Sequence, residues 1–201
     1  MFDAGRRAFP IFVRANKLDA NSMKWQSMDP PLRETMLVRG EVDAITGFTF
    51  TSLLNLNARG VKDEEVVMLR YPEHGVNLYG NAIIASEKFI KENPKAVAGF
   101  LKAFLRGARE VIANPDAAIA TVKERDPIID VALEQRRLKM AIDEVIGTKE
   151  YRANGLGAID RKRFADTVSQ VTQAFNLKTT VDAQTLFNDS FLPAQAERRV
   201  F

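Results

Sequence analysis

The apolar pattern of this chain changes character once, at Ser86, and that change limits the folds open to it. Before Ser86, helical and strand-like segments alternate. Residues 8–17 place Phe9, Phe12 and Val13 at helical spacing, with Pro10 tolerable only near a first turn. SMKWQSM (22–28) alternates Met23 and Trp25 against Lys24 and Gln26, the pattern of a strand with one buried face. DPPLRETMLVRGE (29–41) reads as a helix opened by Asp29 and Pro30-Pro31 and stopped by Gly40. VDAIT (42–46) is a second strand, TSLLNLNARG (51–60) a helix ended by Gly60, EVVMLRY (65–71) a third strand, and 77–85 a further extended run. Strands and helices alternating at this spacing predict a parallel sheet with right-handed crossovers.

From Ser86 onward the chain reads as helix throughout. Asn93-Pro94 and Asn114-Pro115 each join an N-cap residue to a proline in the first turn, a strong start signal. Val97, Phe100, Leu101, Phe104, Leu105, Ala108, Val111 and Ile112 form a wide apolar stripe, whose periodicity marks the phenylalanines as core packing rather than a ligand box. Such a stripe has to lie on something. The upstream strands are served by their own helices, so the tail is expected to cover a second sheet, for which this sequence supplies almost no strands. Gly155 and Gly157 mark a loop, 161–175 a further helix and 181–193 a short closing one, with no internal repeat.

With 201 residues and 46% apolar composition, the chain can bury a substantial core. Its lack of cysteine excludes disulfides, thiolate metal sites and cysteine nucleophiles. The formal charge of +3 is spread over interleaved basic and acidic residues without a basic stripe, so nucleic acid is not an expected partner. No segment is long and apolar enough to span a membrane, and no signal sequence follows Met1, so the chain as it stands is expected to remain cytoplasmic. His74, the only histidine, lies in PEHG (72–75) with no second ligand, and no phosphate-cradling glycine loop occurs. No metal, cofactor or catalytic constellation is therefore expected.

Four stretches carry a family resemblance: FDAGRRAF (2–9), DPPLRETMLVRGEVDAITGFTFTSLL (29–54), NLYGNAIIASEKFIKENPKAVAGFLKAFLRGAREVIANPDAAIATVKER (77–125) and FNDSFLP (187–193). Together they resemble the substrate-binding proteins of nitrate/taurine/sulfonate-type ABC transporters, a group that also contains binders and synthases of the thiamine pyrimidine. The resemblance implies an α/β fold like that of type II periplasmic binding proteins, two lobes hinged by two strands with the ligand between them. On it, residues 1–77 map to lobe two without its first strand. Residues 78–201 map to the returning hinge strand and the helical C-terminal part of lobe one, giving one near-complete parallel-sheet lobe plus the helical remainder of the other. The signal peptide, the opening strands of lobe one and the strand before FDAGR are absent on this mapping, so the chain is expected to be N-terminally truncated. The full-length family is periplasmic and delivers its ligand to a transporter permease. An exposed sheet edge and an uncovered apolar stripe predict a homodimer or larger assembly.

Ligands of such folds meet the turns that follow parallel strands. The resemblance puts Gly5, Arg6 and Arg7 at one such turn: helix-start N–H groups favour an anion, and an Arg adds a bidentate hold on a sulfonate or carboxylate. The competing reading makes both arginines ordinary solvated side chains. TGFTF (46–50) is the second cluster. Thr46 and Thr49 offer hydroxyls, Gly47 permits close backbone approach, and Phe48 or Phe50 can stack on a planar ligand while the other packs inward. Tyr79 and Asn81 share one face of the expected hinge strand, with ligand-facing and structural roles equally open.

Polar, glycine-containing turns without catalytic groups point to capture without chemistry: a solute-binding component of an importer, taking a small anionic or planar organic ligand. Three alternatives stay open. One is a thiamine-pyrimidine synthase-like enzyme, which the absence of Cys disfavours. Another is the effector-binding half of a transcription regulator, and the last a truncated fragment that binds nothing.

Overall fold

The computed structural model describes residues 3–179 and 181–201, so Met1 and Phe2 of the opening stretch, and Thr180, lie outside it. Its helices, in chain order, are α1 (Ala4–Ala15), α2 (Arg33–Val38), α3 (Thr49–Asn57), α4 (Glu87–Glu92), α5 (Pro94–Ala113), α6 (Pro115–Arg125), α7 (Val131–Ala141), α8 (Lys149–Asn154), α9 (Arg161–Ala174) and α10 (Ala183–Leu186). A π-helical turn, Ile142–Ile146, prolongs α7, and short 3-10 turns fill several connections.

These helices start where local chemistry satisfies their orphan N–H groups. Side chains of Asp3, Ser86, Asn114, Asp130 and Thr148 cap α1, α4, α6, α7 and α8. Pro94 and Pro115 stand in the first turns of α5 and α6, although the Asn93 side chain makes no cap bond. Gly40 and Gly60, with φ of +68° and +87°, supply the left-handed step after α2 and α3. Helix α1 begins at Ala4 rather than Ala8, so Pro10 falls in its interior, where it has no N–H to return to the Arg6 carbonyl. The helix that bears this loss is capped by Asp3 and buries Ile11, Phe12 and Val13.

The expected sheet does not form. Among the described residues there is no strand; 22–28, 42–46, 65–71 and 77–85 run as coil, bends and 3-10 turns. The parallel-sheet lobe of an α/β two-lobe fold, and the returning hinge strand with it, are thus corrected to an arrangement of helices. The physical reason is that alternation states only which side chains prefer burial. A strand exists when its N–H and C=O groups find a neighbouring chain to pair with. Here the backbone bonds outside the helices are almost all local turns, such as Val76 N–H to Tyr71 C=O at 2.9 Å. Side chains suited to a sheet face stay in solvent instead, Val67 at 88% and Ile84 at 90% exposure.

The chain divides into two compact units, Met1–Tyr79 with Arg163–Val181, and Gly80–Lys162 with Asp182–Phe201. In the first, Ile11, Phe12 and Val76 form a core joined by Phe9, Tyr71, Leu78 and, from α9, Val171 and Ala174. The Phe12 ring stacks on Tyr71 at 5.3 Å and meets His74 edge-on at 5.5 Å, while Asn16 Nδ2 donates to the His74 carbonyl at 2.9 Å. Helix α3 buries Leu53, Leu54 and Leu56, each contributing about 1.5–3 kcal/mol, and α2 packs against it.

In the second unit α5 packs on α4 and α6, and α6 on α7, with Leu105, Ile119 and Val200 buried. Phe100 and Phe104, expected in a core, are exposed and stack on each other at 6.4 Å. Among the described residues no sheet covers the stripe they belong to. The C-terminal tail is strapped down by Leu156 N–H to the Arg198 carbonyl at 2.9 Å and by Arg109, which donates to the carbonyls of Glu197 and Arg199.

Candidate functional site

Asp3 organises the first unit's polar centre. One oxygen, Oδ1, accepts from the Arg6 backbone N–H at 2.9 Å and the Thr46 hydroxyl at 2.8 Å. The other, Oδ2, accepts from Arg33 Nη1 at 2.7 Å, and the same Nη1 donates to the Thr46 carbonyl at 2.6 Å. One guanidinium thereby ties the start of α1 to the turn that leads into α3. Burial by itself would push the Asp3 carboxyl up; the Arg6 N–H, the Thr46 hydroxyl and the Arg33 charge outweigh it and hold it below the usual carboxylate value. Tyr71 closes the cluster by donating its hydroxyl to the Gly5 carbonyl at 2.8 Å. Burial, and then the nearby Asp3 charge, push the Tyr71 phenol up to about 12 against the smaller opposing pull of Arg6.

The glycines here are required by close approach within the protein itself. A Cβ on Gly5 would sit 2.9 Å from Thr46 Cβ and 3.0 Å from Asp3 Oδ1, and one on Gly47 would collide with Ser52 Oγ. Arg6 turns its guanidinium over the Trp25 ring, 3.8 Å from the centroid. Arg7 is exposed, and its N–H donates to the Asp3 carbonyl at 3.0 Å. Phe48 and Phe50 stack on each other at 5.3 Å, with Phe48 the more exposed at the uncapped start of α3. Gly5, Arg6, Thr46 and Gly47 are thus gathered around Asp3 and Arg33. Tyr79 instead packs on α9, 6.1 Å from the Phe164 ring and under the Arg163 guanidinium at 4.2 Å. Asn81 is exposed and belongs to the second unit.

Sequence reasoning missed Arg33, Trp25 and Tyr71 as members of this cluster. Asp3, spaced as an N-cap, carried a readable signal; Arg33 reaches it across thirty positions of chain, which no local pattern encodes. Among the described residues, Arg33 Nε, Ser52 Oγ and both carboxylate oxygens of Glu34 are buried without hydrogen-bond partners, and Glu34 is 0% exposed. The second unit offers a hollow of about 340 Å³ between α5 and the tail, bordered by Lys102, Arg106, Arg109 and Glu197. Its cations are already engaged: Lys102 with Glu197 at 3.1 Å, Arg106 with Glu110 at 3.6 Å, Arg109 with backbone carbonyls.

Comparison with known proteins gives two results. The family described as NMT1/THI5 like matches residues 4–118, more than half of the chain and a span that includes every residue of the Asp3 cluster except Asp3 itself. The riboflavin-binding protein RibY of Chloroflexus aurantiacus is 28% identical over 164 residues, covering 78% of this chain and 44% of that protein. The chain thus spans less than half the length of this curated relative. With the family match extending over most of the chain's first unit and through α5 into the first turn of α6, the chain belongs to the NMT1/THI5-like family.

Proposed function

We propose that this chain is the solute-binding component of an ABC importer, taking up a small planar or anionic organic solute at the Asp3 cluster and releasing it unchanged to a membrane permease. The observation that carries the reading is the joining, by Arg33, of the α1 start to the Thr46–Gly47 turn. Arg6 and the aromatic pair Phe48 and Phe50 stand at its margins and supply a cation and stacking surface for such a solute. Family membership supports the same role, and the relative named for riboflavin binding makes a flavin the first solute to try. Among the described residues no helix is long and apolar enough to cross a membrane. On the family's habit, the place of action is the periplasm.

Calorimetric titration of the intact chain with riboflavin, 4-amino-5-hydroxymethyl-2-methylpyrimidine, phthalate, taurine and nitrate tests the reading. Saturable one-site binding of at least one, with the solute recovered chemically intact, is expected. Binding of none, or conversion of a bound solute, overturns it.

A further inference from the structure

Trp25 is the only tryptophan in the chain and, at 45% exposure, one of the larger apolar surfaces the first unit presents. It is not loosely placed. Phe9 meets the indole edge-on at 4.9 Å, Phe9 stacks on the buried Phe12 at 5.7 Å, and Phe12 stacks on Tyr71. A run of rings therefore anchors the indole to the core and fixes its orientation before anything binds. One indole face is covered by the Arg6 guanidinium. Between exposed groups such a contact is weak and easily exchanged. Asp3 does not compete for that guanidinium, because its oxygens are taken by the Arg6 N–H, Thr46 and Arg33.

We propose that Trp25 is the stacking residue of the site, and that the indole face now under Arg6 accepts a planar heteroaromatic ring while Arg6 moves to the polar edge of that ring. The inference rests on the solute-binding reading above and names the chemical class it takes. Trp supplies a broad, rigid π-face at little entropic cost, and an electron-poor heterocycle is the partner that face favours over an aliphatic acid or an inorganic anion.

The test titrates the intact chain with riboflavin, followed by calorimetry and by flavin emission, with 4-amino-5-hydroxymethyl-2-methylpyrimidine and calorimetry alone if riboflavin does not bind. An indole stacked on a flavin quenches its emission, so bound riboflavin should be dark in the wild-type protein. Trp25→Phe retains a ring and the packing on Phe9; it should bind several-fold more weakly and restore most of the emission. Trp25→Ala should weaken binding about tenfold or more, with circular dichroism confirming its fold. Equal affinity and equal darkness in wild type and Trp25→Phe, or a bright wild-type complex, overturns the proposal and leaves the solute-binding reading standing. Binding of taurine or nitrate but of no planar solute does the same, whereas binding of no solute at all removes both.

Discussion

Asp3 combines two roles that substitution can separate. As an N-cap, Asn serves as well as Asp, so Asp3→Asn keeps the cap but removes the charge and puts an amide donor where Oδ2 accepts from Arg33, which is expected to cost about 1–3 kcal/mol in urea unfolding. Asp3→Ala loses the cap as well, about 1 kcal/mol more. The pH dependence follows from the directions of the two shifts. The Asp3 carboxyl is held below its unfolded value of 3.8, so its contribution is present above that pH and disappears as pH falls through the lowered value. Tyr71 has the opposite sense: its folded value of about 12 exceeds the unfolded 10.0, so its contribution is complete below pH 10 and is lost as pH rises toward 12. Urea midpoints measured across both ranges should fall at each end; Asp3→Asn should flatten the acid limb and, because the Asp3 charge helps raise Tyr71, shrink the alkaline limb as well. Glu34 presents the reverse situation, since both oxygens are buried without a partner among the described residues. Glu34→Met, similar in volume and apolar, is expected to raise stability by about 1–3 kcal/mol; a loss on thermal unfolding would show that the carboxylate does have a role.

Helices were legible in the sequence because caps, first-turn prolines and terminal glycines act within a few residues of one another. Gly40 and Gly60 end α2 and α3 as the pattern requires, and Asn114 caps α6 through its own side chain. The strands were not legible, because alternation in SMKWQSM or EVVMLRY reports a preference for one buried face and is silent on whether a partner backbone exists. The site divides the same way. Thr46 and Gly47 follow from turn chemistry, while the guanidinium that holds them comes from another element through a contact distant in sequence. Trp25 was assigned to a buried strand face and is found half-exposed beneath Arg6. Within α5, Gly99 and Gly107 have open space where a Cβ would stand. Ala at either position is expected to stabilise the protein by about 0.5–1 kcal/mol, whereas Gly5→Ala, meeting Thr46 at 2.9 Å, should cost about 1–3 kcal/mol. Thermal unfolding of the three variants decides both.

Taken whole, the molecule leaves Val67, Ile84 and Ile128 at 88%, 90% and 92% exposure, along with Phe100 and Phe104. A surface of that kind favours association, and light scattering at micromolar concentration should find a dimer or larger assembly; a monodisperse monomer would refute it. The central claim, however, concerns where solute is held. Amide chemical-shift mapping of the intact chain with a saturating bound solute tests it most directly. Shifts are expected to concentrate at residues 5–7, 25 and 46–50 around the Asp3–Arg33 pair. Shifts centred instead on α5 and the C-terminal tail, or spread without a centre, would contradict the account.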